Sequence, residues 1–477
     1  MAPPGVRLYN SATRQVDPFV PLHPGAVRVY DCGPTVYDWQ HIGNLYRYIV
    51  SDLQRRTFEY LGYRVKQVMN VTDVGHIVGD VDEGEDRMML AAKREGRDPE
   101  TLARRYTEQF MTDRRKLNVL DPHVMPKASE HIPLMIELIQ KLIDSGHAYV
   151  AADGVYYDIA SFPGYGTRLN VEPPQEREAG ARVDVNPNKR HPADFALWRA
   201  SKPGDLQVWD SPWGRGNPGW HIECSAMSMK YLGETLDIHS GGEDHLFPHH
   251  ECEIAQSEAA TGKPFVRYWT HVRFLRVEGG AMHKSIGNTY LLSDLESWGF
   301  EPLAFRMLVL NNKYRQPIDF TRAGLEAAQN RLDRWRGIVR EAWQTTGGTP
   351  IDVSPEDPMR TAFVAALTDD LNTPAALAQA EAVLDQAATG DVAAKRHALE
   401  VLFDMDQVLG LSLRERAAEA DLSPEERALL AERDAARRKG DYQRSDELRA
   451  ELERTYGIRV KDTKDGTRWE RVRRKGA

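Results

Sequence analysis

At 477 residues the chain is too long for one compact domain and, at roughly 150 residues each, is sized for about three. Hydrophobic residues make up 41% and charged residues 28%, an ordinary globular balance, and no run of ~18 apolar residues is present to span a membrane. Sixty-two Lys and Arg against 71 Asp and Glu give a net charge of −9, which argues against a surface that binds nucleic acid throughout. Three cysteines cannot build a disulfide framework, and Met-Ala-Pro-Pro-Gly-Val-Arg at the start lacks the apolar core of a signal peptide, so a cytoplasmic, reducing setting is expected. The balance is uneven: residues 421–477 carry 16 Lys/Arg and 13 Asp/Glu, net +3, on a remainder of net −12, a pattern that orients a polyanionic partner or marks a solvated helical face.

Val27–Tyr30 is a short apolar run followed by the loop Asp31-Cys32-Gly33-Pro34-Thr35. A helical pattern from about Asn44 to Leu61 stops at Gly62, and Val65–Val71 reads as a second buried strand. Strand, helix, strand with short turns is a βαβ unit and implies a parallel sheet, in which ligands sit at the carboxyl ends of strands and at helix N-termini. Cys32 and Thr72 both fall at strand ends. Residues 85–147 read mostly helical, with a periodic stretch at Ile132–Ser145. Residues 148–219 are rich in Gly, Pro and Asp, with short strands such as Gly154–Ile159, and read as part of an insertion. The αβ pattern then resumes: a strand at Thr235–His239, a Gly-rich turn at Ser240–Asp244, a helix opened by Pro248 and closed at Gly262, and a strand at Arg273–Val277. From Thr321 to about Leu411 the chain reads as helical, with Leu325, Ala328, Leu332, Trp335, Val339 and Ala342 on one apolar face. Leu422-Ser423-Pro424-Glu425 reads as the helix start of a last small unit.

Three constellations carry chemistry. His249 and Glu253, four apart on a helix, share a face and with Cys32 and Cys224 make a plausible tetrahedral zinc set. Cys252, three after His249, competes with Glu253 for that face, and spacing leaves the choice open. His41-Ile42-Gly43-Asn44 opens the first helix of the αβ unit, where backbone N–H groups and the helix dipole suit phosphate. Met282-His283-Lys284-Ser285 lies in a glycine-flanked loop, where a lysine is suited to charge developing on a transferring phosphate.

Taken in order, Cys-Gly-Pro-Thr-Val-Tyr-Asp (32–38), the His41–Asn44 signature, Gly-Trp-His-Ile-Glu-Cys (219–224), the run from Gly241 to Gln256 and the lysine loop resemble the cysteinyl-tRNA synthetases, class I aminoacyl-tRNA synthetases. Pro192–Trp198, Asp369–Pro374 and Gly466–Trp469 extend the resemblance over nearly the whole chain. It implies an enzyme that activates L-cysteine with ATP and transfers the cysteinyl group to the 3′ end of tRNA-Cys. It implies one Zn2+ per chain on Cys32, Cys224, His249 and Glu253, leaving Cys252 outside, and Mg2+ with ATP. His41 and Asn44 match the phosphate-contacting signature, Lys284 the second lysine of the mobile catalytic loop, Asp244 the ribose contact, Trp220 the wall of the cysteine pocket, and Thr72 a position near the amino acid.

The expected architecture is an α/β, Rossmann-like parallel-sheet catalytic domain (1–130 and 220–320) with an insertion (131–219), then an α-helical bundle that binds tRNA (321–415) and a small C-terminal anticodon-binding domain (421–477). A monomer is the family's usual state. Two departures stand out: Ala281 occupies the usual first lysine of the loop, and His283 its serine position. They keep two other readings open, a relative that joins cysteine to a small-molecule amine and an inactive, zinc-containing RNA-binding protein. The bundle and the basic tail favour a tRNA acceptor.

Overall fold

The computed structural model describes residues 5–75, 86–169, 186–280, 282, 287–346, 352–419, 422–463 and 466–471. Its centre is a four-stranded, wholly parallel sheet in the order Val266–Val272, Leu236–Gly242, Ala26–Asp31, Arg64–Met69. Both faces of such a sheet are covered, which is why Leu236–Gly242 is buried at every position. The helix Ile42–Tyr60 crosses between the right-hand pair of strands and His249–Thr261 between the left-hand pair. The two halves therefore wind outwards from the adjoining strands Ala26–Asp31 and Leu236–Gly242, and the crevice at their carboxyl ends is the topological switch point where ligands bind in open α/β sheets.

The expected βαβ unit is present, with the helix starting at Ile42 instead of Asn44 because His41 acts as its N-cap. Two local expectations are corrected, and one strand was not foreseen. Ser240–Gly242 is not a turn: it completes the strand, with Ser240 opposite Thr270 and Gly242 opposite Val272, and only Glu243–Leu246 turns, as a 3-10 helix. The outer strand is Val266–Val272, whose Arg, Thr and His hide its burial from hydropathy. Arg273–Val277 does not extend the parallel sheet: Leu275–Val277 pairs instead with Ile318–Phe320.

The helix Ile132–Asp144 and an antiparallel sheet, ordered Ala148–Ala151, Gly154–Tyr157, Phe195–Ala200, Gly216–Pro218, pack through Met135, Ile139 and Leu142 against Val155, Leu197 and Ile222. The helices Arg322–Thr346, Pro358–Thr368, Thr373–Thr389 and Val392–Leu409 follow, and all six apolar-face residues from Leu325 to Ala342 are buried. The chain divides into two compact units, one of Met1–Arg334, Asp352–Val383 and Asp404–Leu411, the other of Trp335–Ile351, Leu384–Phe403 and Ser412–Ala477. In the second, Ser423 caps the helix Pro424–Arg438 in a capping box with Glu426, as the sequence leads one to expect. A second helix, Tyr442–Tyr456, and the hairpin Ile458–Thr463/Gly466–Arg471 close a core of Leu422, Leu452, Ile458 and Val460, against which Trp469 packs half-buried. Among the described residues no helix is long and apolar enough to cross a membrane.

Candidate active site and metal centre

A cleft of about 610 Å³ opens at the carboxyl ends of the parallel strands. Cys32 follows the strand Ala26–Asp31, Asn70 and Thr72 follow Arg64–Met69, and Asp244 to His249 follow Leu236–Gly242, so each strand delivers one part of the lining. The loop after Cys32 is stitched to the neighbouring strand end: the Val36 amide donates to Thr72 O at 3.1 Å and the Thr72 amide to Pro34 O at 3.0 Å. Gly33 is required there, since a Cβ would fall 1.4 Å from the Asn70 carbonyl oxygen.

The cleft brings together Cys32, His41, Asn44 and Thr72 from the first half of the sheet with Trp220, Cys224, Asp244 and His249 from the second. Glu253 sits one helical turn behind His249, fully buried. Lys284, together with Ala281 and His283, lies outside the described residues. His41 and Asn44 form a reciprocal capping box, in which the Asn44 amide donates to His41 Nδ1 and the His41 amide to Asn44 Oδ1, each at 3.3 Å. With Nδ1 accepting, the neutral ring carries its proton on Nε2, which is thereby fixed as a donor. The Trp220 ring packs 4.1 Å from the His249 ring, centroid to centroid, in the wall of the cleft.

The helix His249–Thr261 is buried on almost every side although it carries His249, His250, Glu251, Glu253 and Gln256. Buried charge of this density demands partners. Glu251 accepts from the Gly166 and Leu169 amides and Gln256 from the Ser225 hydroxyl, which are structural ties. The others converge: ligand atoms of Cys32, His249, His250 and Glu253 all lie within 4.8 Å of one another. His249 Nε2 and Glu253 Oε1 are 2.9 Å apart without a directed hydrogen bond between them, as two donors aimed at a common centre would be. Cys252, the alternative to Glu253 on that face, has its sulfur 3.3 Å from the Tyr165 hydroxyl inside an apolar cluster with Ile222 and Ala226, whereas Glu253 belongs to the converging group.

Electrostatics fit a dication at that centre. Burial opposes the Cys32 thiolate, yet the hydrogen bond from Cys224 and the charges of His250, His245 and His239 hold it well below the ordinary cysteine range. Burial, the Cys32 bond and charge, and the Glu253 charge push Cys224 well up. Burial disfavours charge on His249 too, but Glu253 and Cys32 raise it to about 10. A fully buried cluster that draws a proton onto a histidine calls for positive charge, and sulfur, imidazole and carboxylate donors suit a borderline-soft divalent ion such as zinc. The outer partners are also in place: His239 Nε2 lies 2.9 Å from Glu253 Oε2, His221 Nδ1 2.8 Å from His249 Nδ1, and His271 Nε2 2.8 Å from His250 Nδ1.

Sequence reasoning missed His250, whose Nε2 lies 3.3 Å from Cys32 Sγ, and the carboxyl of Glu223, which accepts from the Thr72 hydroxyl at 2.8 Å and which burial raises to about 8. The histidine doublet three residues before Glu253 was the available signal for the first; nothing in the pattern marks the second.

The model of the class I (C) tRNA synthetase catalytic domain matches residues 18–330, and that of the cysteinyl-tRNA ligase anticodon binding domain matches residues 419–469. A cysteine–tRNA ligase of Thermus thermophilus is 44% identical over 98% of this chain and 99% of its own. The chain belongs to the cysteine–tRNA ligase family. A relative from Chlorobaculum tepidum, also a cysteine–tRNA ligase, is 41% identical over 97% of this ligase and 98% of its own length. Among solved structures, a Mycobacterium tuberculosis methionyl-tRNA synthetase with methionyl-adenylate covers 85% of this chain and 96% of its own at a TM-score of 0.56 and 14% identity. A leucyl enzyme, in the ternary complex of Agrobacterium radiobacter K84 agnB2 LeuRS with tRNA and LeuAMS, covers 84% and 86% at a TM-score of 0.62 and 12% identity. At that identity the two share the class I fold with this ligase.

Proposed function

We propose that the ligase acts through the residues assembled in this cleft: it adenylates L-cysteine with ATP and passes the cysteinyl group to the 3′ end of tRNA-Cys. The observation that carries this reading is the convergence of Cys32, His249 and Glu253, with Cys224 beside Cys32, at one end of a cleft whose other end holds the His41–Asn44 helix start.

Adenylation needs no protein nucleophile. It needs the cysteine carboxylate held in line with the α-phosphate and cationic or N–H donors on the leaving pyrophosphate. His41 Nε2–H and the first-turn amides of Ile42–Tyr60 serve the phosphates, and Lys284 the pyrophosphate. Asp244, its carboxyl 59% exposed at the cleft, accepts from the ribose hydroxyls. Trp220 and Thr72 flank the amino acid, with Glu223 fixing the Thr72 hydroxyl. Cys32, Cys224, His249 and Glu253 would hold zinc, with His250 the further donor that the geometry offers. Bound there, zinc supplies a Lewis acid that takes a thiolate readily and a hydroxyl poorly, a discrimination that apolar contact, at about 1–3 kcal/mol for so small a difference, does not provide. Mg2+ enters with ATP.

The domain assignment is part of the proposal: 1–130 and 220–320 carry the chemistry, 131–219 is inserted in it, 321–415 binds tRNA and 421–477 reads the anticodon end. A monomer is part of the proposal, and three buried free thiols support a reducing, cytoplasmic setting. Cysteine-dependent ATP–pyrophosphate exchange, run with serine and alanine in place of cysteine, tests the reading. Exchange is expected with cysteine alone; equal exchange with serine would reject a thiolate-selecting site.

A further inference from the structure

The loop from Cys32 to His41 runs from the amino-acid end of the cleft to its phosphate end, and its middle residues, Tyr37 to Gln40, line the cleft between the two. None of these four is needed to hold cysteine or ATP in the reading above. The side they form is aromatic, with Arg87 beside it, while Asp38 pairs with Arg94 at 3.8 Å and Glu95 with Arg105 at 2.8 Å. The Arg87 guanidinium, also in the lining, donates to the Tyr37 hydroxyl at 2.8 Å and lies 5.3 Å from its ring centroid. Arg105 lies 5.0 Å over the Trp39 ring, whose edge meets Tyr106 at 4.8 Å. Both Tyr37 and Trp39 are half-buried, seated on a core of Val36, Met88, Leu102 and Ala103, so each ring is held in place while part of it stays accessible. The basic character continues outward: residues 86–116 hold nine Lys and Arg against six Asp and Glu in a chain of net charge −9.

We propose that this wall is the seat of the unpaired 3′ nucleotides of the tRNA acceptor end, with terminal bases stacked on Trp39 and Tyr37 and their phosphates drawn by Arg87, which lines the cleft. The inference rests on the tRNA-charging function above. Its geometric basis is the position of the wall. Cys32, His249, His41 and Tyr37–Gln40 line one cleft, so with sulfur held at the first two and phosphate at His41 the acyl-phosphate junction lies in the cavity that Tyr37–Gln40 also line. The attacking ribose hydroxyl must arrive at that junction. In the transfer step its oxygen forms the ester to the cysteinyl carbonyl carbon, the bond from that carbon to the phosphate oxygen breaks, and AMP leaves with the electron pair while the hydroxyl proton is released to water. Single strands are read on aromatic platforms with flanking cations, which is what this wall supplies and what the adenylation step does not call upon.

The test uses the full chain carrying Trp39→Ala, with Trp39→Phe as the conservative partner, and a tRNA of GCA anticodon prepared with and without its 3′-terminal CCA. Cysteine-dependent pyrophosphate exchange is expected to persist in Trp39→Ala while tRNA charging falls about 10- to 100-fold, the scale of one lost base–aromatic stack, and Trp39→Phe restores most of it. Binding of the intact tRNA is expected to weaken in Trp39→Ala, and binding of the tRNA lacking CCA to be the same for wild type and variant. Wild-type charging in Trp39→Ala overturns the proposal. So does an equal fall in exchange and charging, which would place the ring on the adenylation side, or a binding loss that persists without CCA, which would place it under another part of the tRNA. Failure of the wild-type chain to charge either tRNA is a different result and rejects the ligase reading itself.

Discussion

Arg306 is fully buried and donates to four acceptors: Asp52 Oδ2 and Leu409 O at 2.6 Å, and Leu117 O and Asn118 O at 3.1 Å. Asp52 lies on the helix that His41 caps, so this junction anchors the element that presents His41 and Asn44 to the cleft. Arg306→Met removes all four bonds at once. Breaking a buried pair by deleting one partner costs about 3–5 kcal/mol. Here Asp52 keeps the Arg56 Nε and Leu120 amide bonds, both at 2.8 Å, and Asn118 O keeps Arg56 Nη2 at 2.8 Å, which argues for the lower end, while the Leu117 and Leu409 carbonyls lose the Arg306 donor at about 1 kcal/mol each, which argues for the upper. A loss of about 4 kcal/mol in urea unfolding of the unit holding residues 1–334 is expected, and Arg306→Met combined with Asp52→Leu recovers part of it. Gly410→Ala attacks the same junction from outside, because a Cβ there would lie 2.7 Å from the guanidinium at a backbone φ of +66°. The pH dependence has a definite sign. Burial raises the Asp52 carboxyl, but Arg306 and Arg56 outweigh it and hold the group below the usual carboxylate range. Its stabilisation is therefore complete above that range and lost as pH falls through the lowered value. A change below about 1 kcal/mol in Arg306→Met would refute the claim that this junction anchors the helix.

Cys224→Ser is expected to lose or sharply weaken zinc by metal analysis while Cys252→Ser keeps it; the opposite pattern would transfer the ligand role to Cys252. Lys284→Ala should cut cysteine-dependent pyrophosphate exchange by about 100-fold or more, the scale of one lost transition-state donor, with His283→Ala milder and Ala281→Lys raising the rate if charge at the pyrophosphate is limiting. Lack of response in all three would detach the loop from catalysis. Truncation after Ala420 should leave exchange intact and severely reduce tRNA charging together with its anticodon dependence, since the C-terminal unit carries its own core of Leu422, Leu452, Ile458 and Val460. Charging equal to that of the full chain would remove the anticodon role.

Elements whose hydrophobic pattern matches their burial were legible in the sequence. Val27–Tyr30, the helix to Leu61, Ile132–Asp144 and the face from Leu325 to Ala342 lie where periodicity puts them, because each buries an apolar run or stripe. Val266–Val272 was not legible, because its Arg267, Thr270 and His271 break the apolar pattern although Thr270 and His271 are buried, His271 between Ser11 and His250. The same chemistry hid His250: on a buried helix two successive histidines point in different directions, and only the strand carrying Cys32 determines that both reach one centre. Arg306 and Asp52 are 254 residues apart and carry no local signature, so their pairing appears only in the fold. The eight cleft residues came together because motif residues sit at strand ends, and parallel strands deliver their ends to one crevice.

The central claim is that this cleft selects cysteine and delivers it to tRNA. The most direct measurement is charging of a tRNA with a GCA anticodon by the zinc-loaded full chain, with radiolabelled cysteine and serine in parallel. The account predicts cysteinyl-tRNA with no detectable seryl product, and no charging when the anticodon is replaced. Cysteine-dependent exchange without any charging of that tRNA would contradict it and point to an acceptor other than tRNA.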